Sequence, residues 1–401
     1  MESSPSSYPH LIGLASNSED SEEAEQKHTN AGTTNRKYFK SAQWSPDGTT
    51  ILASTASNTL FTYILPPSLL SPPHPHPLTP YTTHRSPESI YATTFHPSYT
   101  LSTPSTCLLL ASVASLPIRL ISPFAPGILA SYPLISPTTE AYTAPHSLLF
   151  NPVEPNYFFA GHDSCISLFD INRNGERPVS RMLTCRARRD TIFTPGAQNM
   201  KGLISAMAMS DDGVLAAGTF TRCVSLYDSH GSGDCIATFS PNNPNGAPKN
   251  NKEAQGAGVT QLLFSNPHYL IIAERSSTGI SIYDTRNLTH RLAWLRGRSA
   301  QTPQRMSIDI TTNSNGSSEI WAGGTDGCVR CWEGVGMREG VVEPSWGFQA
   351  HGDVVGSVGW HPGGGVLATC SGSRRDGMDG FEDESLSRSQ IVDNNLKIWA
   401  F

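Results

Sequence analysis

Seven times along this chain a hydrophobic or aromatic residue runs straight into a turn: Trp44-Ser-Pro-Asp-Gly, Phe95-His-Pro, Phe150-Asn-Pro, Met209-Ser-Asp-Asp-Gly, Phe264-Ser-Asn-Pro, Ile310-Thr-Thr-Asn and Trp360-His-Pro-Gly-Gly. The steps between them are 51, 55, 59, 55, 46 and 50 residues. A repeat of this period constrains the fold more than composition does, because each copy is one supersecondary unit that buries its apolar face only against its neighbours. After each turn comes a short apolar run ending in small residues: Ile51–Thr55, Leu108–Ser112, Tyr157–Gly161, Val214–Gly218, Leu270–Ala273, Ile320–Gly324 and Val366–Ser371. Each reads as a buried strand. A third run follows, ending in an aromatic–acidic pair in Ile166–Asp170, Val224–Asp228, Ile280–Asp284 and Val329–Glu333. Leu60–Tyr63, Ile118–Ile121 and Leu396–Trp399 are degenerate copies.

Three strands and a variable fourth, at a period near the about 40–45 residues of a WD40 unit with loops added, predict an all-β fold: a seven-bladed WD40 β-propeller. The last repeat stops at Phe401 after its third strand, while Lys37-Tyr-Phe-Lys40 precedes the first repeat without a blade of its own. The N-terminal segment is therefore expected to supply the missing outer strand and close the ring, which removes an open edge. One propeller over residues 36–401 replaces the two or three domains that length alone suggests. Residues 1–35 read as a disordered acidic tail, with six acids and one lysine in the first 27. The Pro-rich stretch 66–80 reads as an extended loop between the first two repeats, and 374–395, with six acids and three bases, as an acidic insertion inside the last blade.

No run approaches the 18 apolar residues of a membrane span, and the N-terminus has no apolar core of a signal peptide, so a soluble, intracellular chain is expected. The eight cysteines are then free thiols. Cys328-Val-Arg-Cys331 has the spacing of half a zinc site but no second pair, and Cys165, Cys223 and Cys328 share one register position, which suits small buried residues better. Gly161-His-Asp-Ser164 collects the residue types of a hydrolytic triad in four adjacent positions, where no relay geometry exists; it reads as a turn. No catalytic residue, metal, cofactor or small-molecule substrate is expected.

The formal net charge is −6, yet without the two acidic segments the ring carries 22 acids and 24 bases. The positive charge is clustered. Residues 286–305 hold Arg286, Arg291, Arg296, Arg298 and Arg305 with Trp294 among them and no acid; residues 181–201 hold Arg181, Arg186, Arg188, Arg189 and Lys201 against Asp190 alone. Arginines in inter-blade connections suit phosphate recognition by a planar fork, and an aromatic ring among them suits stacking on an unpaired base. Arg186, Arg188, Arg189, Arg291, Arg296, Arg298 and Arg305 are the candidate phosphate contacts and Trp294 the candidate stacking residue. The competing reading is a protein-interaction scaffold whose basic patches meet acidic partners.

Several strings resemble a known family. Phe39-Lys-Ser-Ala-Gln-Trp-Ser-Pro-Asp-Gly48 with Ile51-Leu-Ala-Ser and Leu60–Pro67, then Thr143-Ala-Pro-His-Ser-Leu-Leu-Phe150, Gly202-Leu-Ile-Ser205 and Gln304-Arg-Met-Ser-Ile-Asp309, are similar to the telomerase Cajal body protein family of WD40 proteins over residues 36–401. The resemblance implies a non-enzymatic propeller in the nucleus that binds small nuclear RNA and assembles ribonucleoproteins: Cajal-body-type RNA and telomerase RNA in animals, spliceosomal small nuclear ribonucleoproteins and pre-mRNA splicing in fungi. Carried over by position, it puts His146, Gln304 and Arg305 near the functional face. The short N-terminal tail and the departure of residues 131–140 from the family's basic version point to the splicing-linked branch. The expected partners are small nuclear RNA and ribonucleoprotein proteins, no membrane is expected, and the chain is expected to be a monomer.

Overall fold

The computed structural model describes residues 8–16, 38–185, 200–231, 233–241, 256–266, 268–312, 316–373 and 393–401. Among them are thirty strands, two single-turn 3-10 helices and no α-helix. The strands form seven sheets arranged as a seven-bladed β-propeller. Each blade is an antiparallel meander running outward from the channel. Blade 1 comprises Phe39–Trp44, Thr50–Thr55, Thr59–Ile64 and Thr82–Arg85; blade 4 comprises Ile204–Met209, Leu215–Thr219, Val224–Tyr227 and Cys235–Phe239. The inner strands of the other blades are Ile90–Phe95, Ser147–Phe150, Val259–Ser265, Ile308–Thr312 and Val355–Trp360.

Burial explains the sequence pattern. A second strand lies between two neighbouring blades with both faces covered, so Thr50–Thr55, Leu109–Val113, Leu215–Thr219 and Val366–Ser371 are buried at every position and read as continuous runs rather than alternations. Outer strands such as Thr82–Arg85 and Trp346–Gln349 alternate with one face in water. This weak apolar signal hid the fourth strand of each repeat.

Blades 7 and 1 meet through Trp44, whose Nε1 donates to Gly359 O at 2.8 Å, and Ser357 Oγ donates to Ala42 O at 2.9 Å. The closing outer strand of blade 7 comes from the N-terminal segment, as expected, but from His10–Ser16, antiparallel to Asn395–Ala400. That corrects the reading of residues 1–35 as wholly tail. Lys37 lies outside the described residues, and Phe39-Lys40 starts the inner strand of blade 1. The apolar run Leu11-Ile-Gly-Leu-Ala15 passes unnoticed among polar residues because an outer strand needs only a few buried positions, here Ile12 and Ala15.

The Pro-rich stretch is corrected as well. It joins the third and fourth strands of blade 1 rather than two repeats, and His76–Pro77 pair in parallel with Gly13–Leu14 while Leu78 N donates to Leu14 O at 2.8 Å, so it straps the closing strand. Most of the acidic insertion, residues 374–392, lies outside the described residues, as do residues 1–7 and 17–37. Its last residues are part of the blade: Asp393 is buried and Asn395 opens the third strand.

Candidate nucleic-acid interface

In an antiparallel meander the inter-blade connections and the turns between second and third strands open onto one face of the ring, and the remaining turns onto the other. The first face surrounds the mouth of a central channel of about 870 Å³. Five inner strands enter this mouth with the same irregularity, a register shift at their second residue: Lys40, Tyr91, Ser205, Thr260 and Gly356. A bulged residue is left unpaired in its ladder. At Ser205 and Thr260 the carbonyl then faces the channel.

Arg305 uses those carbonyls. Its Nη2 donates to Ser205 O at 2.7 Å and to Thr260 O at 2.6 Å, Nε to Thr260 O at 3.1 Å, and Nη1 to His146 O at 3.4 Å. One side chain from the connection between blades 5 and 6 thus ties three other parts of the ring, and every acceptor is a neutral carbonyl. The guanidinium is ringed by protein yet exposed along the channel. Burial pushes its pKa down to about 10, which leaves it charged at neutral pH. Lys40 donates to Ile90 O at 3.0 Å, and its pKa is lowered by burial and by the Arg305 charge.

Aromatic rings flank this charge. His146 stacks on Tyr91 with centroids 4.4 Å apart and planes at 15°, and meets Phe220 edge-on at 6.0 Å. Arg275 lies over the Phe220 ring at 4.8 Å. Burial, then the Arg305 charge, lowers the His146 pKa, so this ring is neutral at pH 7 and serves as a π surface. The turns carrying Phe220 and Arg275 are held by the Arg222–Glu274 ion pair at 2.8 Å, with Glu274 only 3% exposed. Gly258 passes so close that a Cβ would lie 2.6 Å from Phe220 O, and its φ of +144° is itself a glycine conformation. Gln304 Nε2 donates to Gly372 O at 3.0 Å. Asp309 lies in the channel wall and accepts from Trp360 N at 2.6 Å and Ile310 N at 2.8 Å; burial pushes its pKa up to about 6.

The structure brings His146, Gln304 and Arg305 together at the mouth. It does not gather the arginines of residues 286–305 into a patch, because the strand Ala293–Arg296 runs across blade 5 from one face to the other. Arg291 sits in the turn at the far face, its guanidinium 4.6 Å over Trp294. Trp294 is 6% exposed and packs so tightly that a Cβ on Gly279 would lie 2.4 Å from its ring, which leaves no face for a base. Arg296 lies on the rim, 3.6 Å from Glu343. Arg298 is 2% exposed and donates to Met306 O at 2.9 Å, so it is a core residue. Arg186, Arg188 and Arg189 lie outside the described residues. Tyr91, Phe220, Arg275 and Lys40 were missed. Their signal was register: Lys40 and Tyr91 are second residues of inner strands, and Phe220 and Arg275 each follow a second strand directly.

Only the second half of the Gly161–Ser164 stretch is a turn: Gly161 and His162 end the strand Tyr157–His162 and pair with Ile166 and Cys165, and Asp163–Ser164 make the tight connection. His162 Nε2 is 3.1 Å from Ser167 Oγ, while Ser164 Oγ donates to Asp163 at 3.0 Å, so serine and histidine are not coupled.

No family model matches the chain. It is 30% identical over 316 residues to the Guanine nucleotide-binding protein negative regulator 1 of Schizosaccharomyces pombe, covering 75% of this chain and 72% of that protein. It is 28% identical over 344 residues to Telomerase Cajal body protein 1 of Bos taurus, covering 84% of this chain and 58% of that one. For the Homo sapiens protein of the same name the figures are 27% over 343 residues, 84% and 57%. The chain therefore spans less than three fifths of the length of these two Cajal body proteins.

Proposed function

The chain belongs to the telomerase Cajal body protein family of WD40 proteins, and from that premise we propose that it is a non-enzymatic nuclear scaffold that binds small nuclear RNA at the channel mouth and assembles ribonucleoproteins. The observation that carries this reading is the combination at the mouth: Arg305 held by carbonyls alone, Lys40 beside it, and an arc of π faces from Tyr91 through His146 to Phe220 and Arg275. Folded single-stranded RNA is read by stacking its unpaired bases on aromatic and guanidinium planes while cations meet its phosphates. The RNA is a spliceosomal small nuclear RNA with an unpaired loop, the protein acts as a monomer, and its further partners are ribonucleoprotein proteins. Gln304 positions the connection that carries Arg305.

Ultraviolet crosslinking in the native cells, followed by sequencing of the attached RNA, tests this. Enrichment of one class of small nuclear RNA, with crosslinks on Tyr91, His146 or Phe220, is expected; background RNA from an abundant protein overturns it. In vitro, three cations at the mouth correspond to a slope of log K against log salt of about −2. Arg305→Ala should weaken binding about tenfold and flatten the slope by about one third. A second reading is favoured by the fission yeast relative, whose name is that of a negative regulator of a guanine nucleotide-binding protein. Co-purifying proteins that survive nuclease while no RNA is crosslinked would establish that protein-scaffold role instead.

A further inference from the structure

A cavity of about 250 Å³ lies in the seam between blades 1 and 2, and no acidic residue lines it. One wall is the third strand of blade 2, Ile118–Ile121. Along this strand Ile118 and Leu120 pack toward blade 3, whereas Ile121 packs with Leu52 and Leu60 of blade 1. By strand alternation Arg119 shares the Ile121 face, and it lines the cavity. Two other blades carry a cation at the same register: Arg330 and Lys397 stand two residues before Trp332 and Trp399, as Arg119 stands two before Ile121. Each of those cations pairs with an acid four residues back, Arg330 with Asp326 at 2.5 Å and Lys397 with Asp393 at 2.8 Å. Blade 2 has Ser115 in that place. Among the described residues Arg119, only partly exposed, has no hydrogen-bond or ion-pair partner. On the blade 1 side, Ser86 Oγ lines the same cavity and is buried without a partner as well. Buried polar groups left unpaired cost stability, so two of them in one cavity point to a group that binds both.

We propose that this cavity is a docking pocket for an acidic residue of a protein partner, whose carboxylate replaces the turn acid that blade 2 lacks and meets Arg119 and Ser86 Oγ. Arg85 lines the cavity too and adds a second guanidinium, the donor whose planar fork matches a carboxylate. The remaining walls favour a peptide over a nucleotide. They are aliphatic at Leu60, Val113 and Ile128, and no Phe, Tyr or Trp ring lines them for a base to stack on. Outside the cavity, Ile128 and Leu129 are exposed, and exposed Tyr81 meets Phe124 of the same loop edge-on at 6.0 Å. Apolar residues flanking the acid would cover this surface. Neither Lys40, Tyr91, His146 nor Arg305 lines the pocket, so the channel mouth stays open to RNA while the peptide is bound.

The probe is a fluorescein-labelled peptide with a leucine–glutamate–leucine core between glycine–serine arms, titrated with the full chain and followed by anisotropy. Saturable binding is expected, about tenfold tighter than that of the same peptide with glutamine at its centre. Arg119→Leu should remove the same factor of about ten, the range of a charge-assisted hydrogen bond, while its melting temperature holds or rises because no native bond is lost. Ser86→Ala should weaken binding about threefold and also hold or raise the melting temperature, since it removes an orphaned hydroxyl. Arg305→Ala should leave peptide binding unchanged, which separates this site from the RNA reading. Equal binding of the glutamate and glutamine peptides, or an affinity that Arg119→Leu does not alter, overturns the proposal. Displacement of the peptide by oligouridine in the Arg305→Ala variant would give the pocket to nucleic acid and overturn it as well.

Discussion

Asp309 sits in the wall of the channel whose mouth carries Arg305 and Lys40, yet its carboxyl keeps its proton up to about pH 6. Burial raises it, and the amides of Trp360 and Ile310, which favour the charged form, only partly oppose that. Between the ordinary value of 3.8 and about 6 the folded chain binds this proton more tightly than the unfolded chain does, so stability falls as pH rises through that window. The contribution is on the order of 2–3 kcal/mol at most. Asp309→Asn keeps an acceptor for the Trp360 amide and carries no charge; it should flatten the decline in melting temperature between pH 4 and 6. An identical slope in both proteins would remove Asp309 as its cause. His146 shows the same logic with the opposite outcome: deprived of charge by burial and by Arg305, it contributes a flat ring instead of a cation.

At the scale of single strands and turns, Asp393 shows how a short element is fixed from outside its own segment. Its Oδ2 accepts from Lys397 Nζ and Gly352 N, both at 2.8 Å, and its Oδ1 lies 3.4 Å from His351 Nδ1. His351 continues to Thr369 Oγ1 at 2.8 Å, which receives Trp399 Nε1 at 2.9 Å. Burial opposes the charge, but the nearby His351 ring and the bonds from Lys397 and Gly352 outweigh it and hold the carboxyl far below the usual range. Asp393→Ala should therefore cost about 3 kcal/mol, the range for breaking a buried charged network by removing one member; urea midpoints measure it, and a loss under 1 kcal/mol would make the network incidental. In the sequence this residue looked like one more acid near the end of the acidic insertion, since neighbouring acids carry no sign of which one is buried. The inner and second strands were legible because burial on both sides leaves apolar runs such as Ile51–Thr55. The channel site was legible only at His146, Gln304 and Arg305. Tyr91 was not, because a bulge at a fixed register announces itself through backbone pairing and not through residue type, and Phe220 was not, because its place directly after the second strand Leu215–Thr219 only matters once the turn is seen to open onto the mouth. Conversely, the arginines of 286–305 form a dense run in sequence that one crossing strand divides between two faces.

For the molecule as a whole, the question is what keeps seven sheets from opening into an arc. Trp44 and Ser357 bond the inner strands of blades 1 and 7, and the outer strand His10–Ser16 adds a second closure with Ile12 and Ala15 fully buried. The Pro-rich strap then seals its outer side through Leu78. Deleting residues 1–16 should expose the edge of Asn395–Ala400 and lose several kcal/mol of packing and pairing. Scaling the unfolding entropy to a ring of this size gives about 1–1.5 °C per kcal/mol, so the melting temperature should fall by about 5 °C, with concentration-dependent association through the bare edge. A rearranged chain separates this cause from simple loss of sequence. His10 pairs with Ala400, so the closing strand starts beside the residue that precedes Phe401. A short turn after Phe401 leading into residues 10–16, in a chain that begins at residue 38, would rebuild blade 7 as one continuous meander. If closure is what the N-terminal strand supplies, the rearranged chain should melt near the parent and remain monomeric in sedimentation. If it melts with the truncated chain instead, the stabilising role belongs to the path from Ser16 to Phe39 and not to the strand.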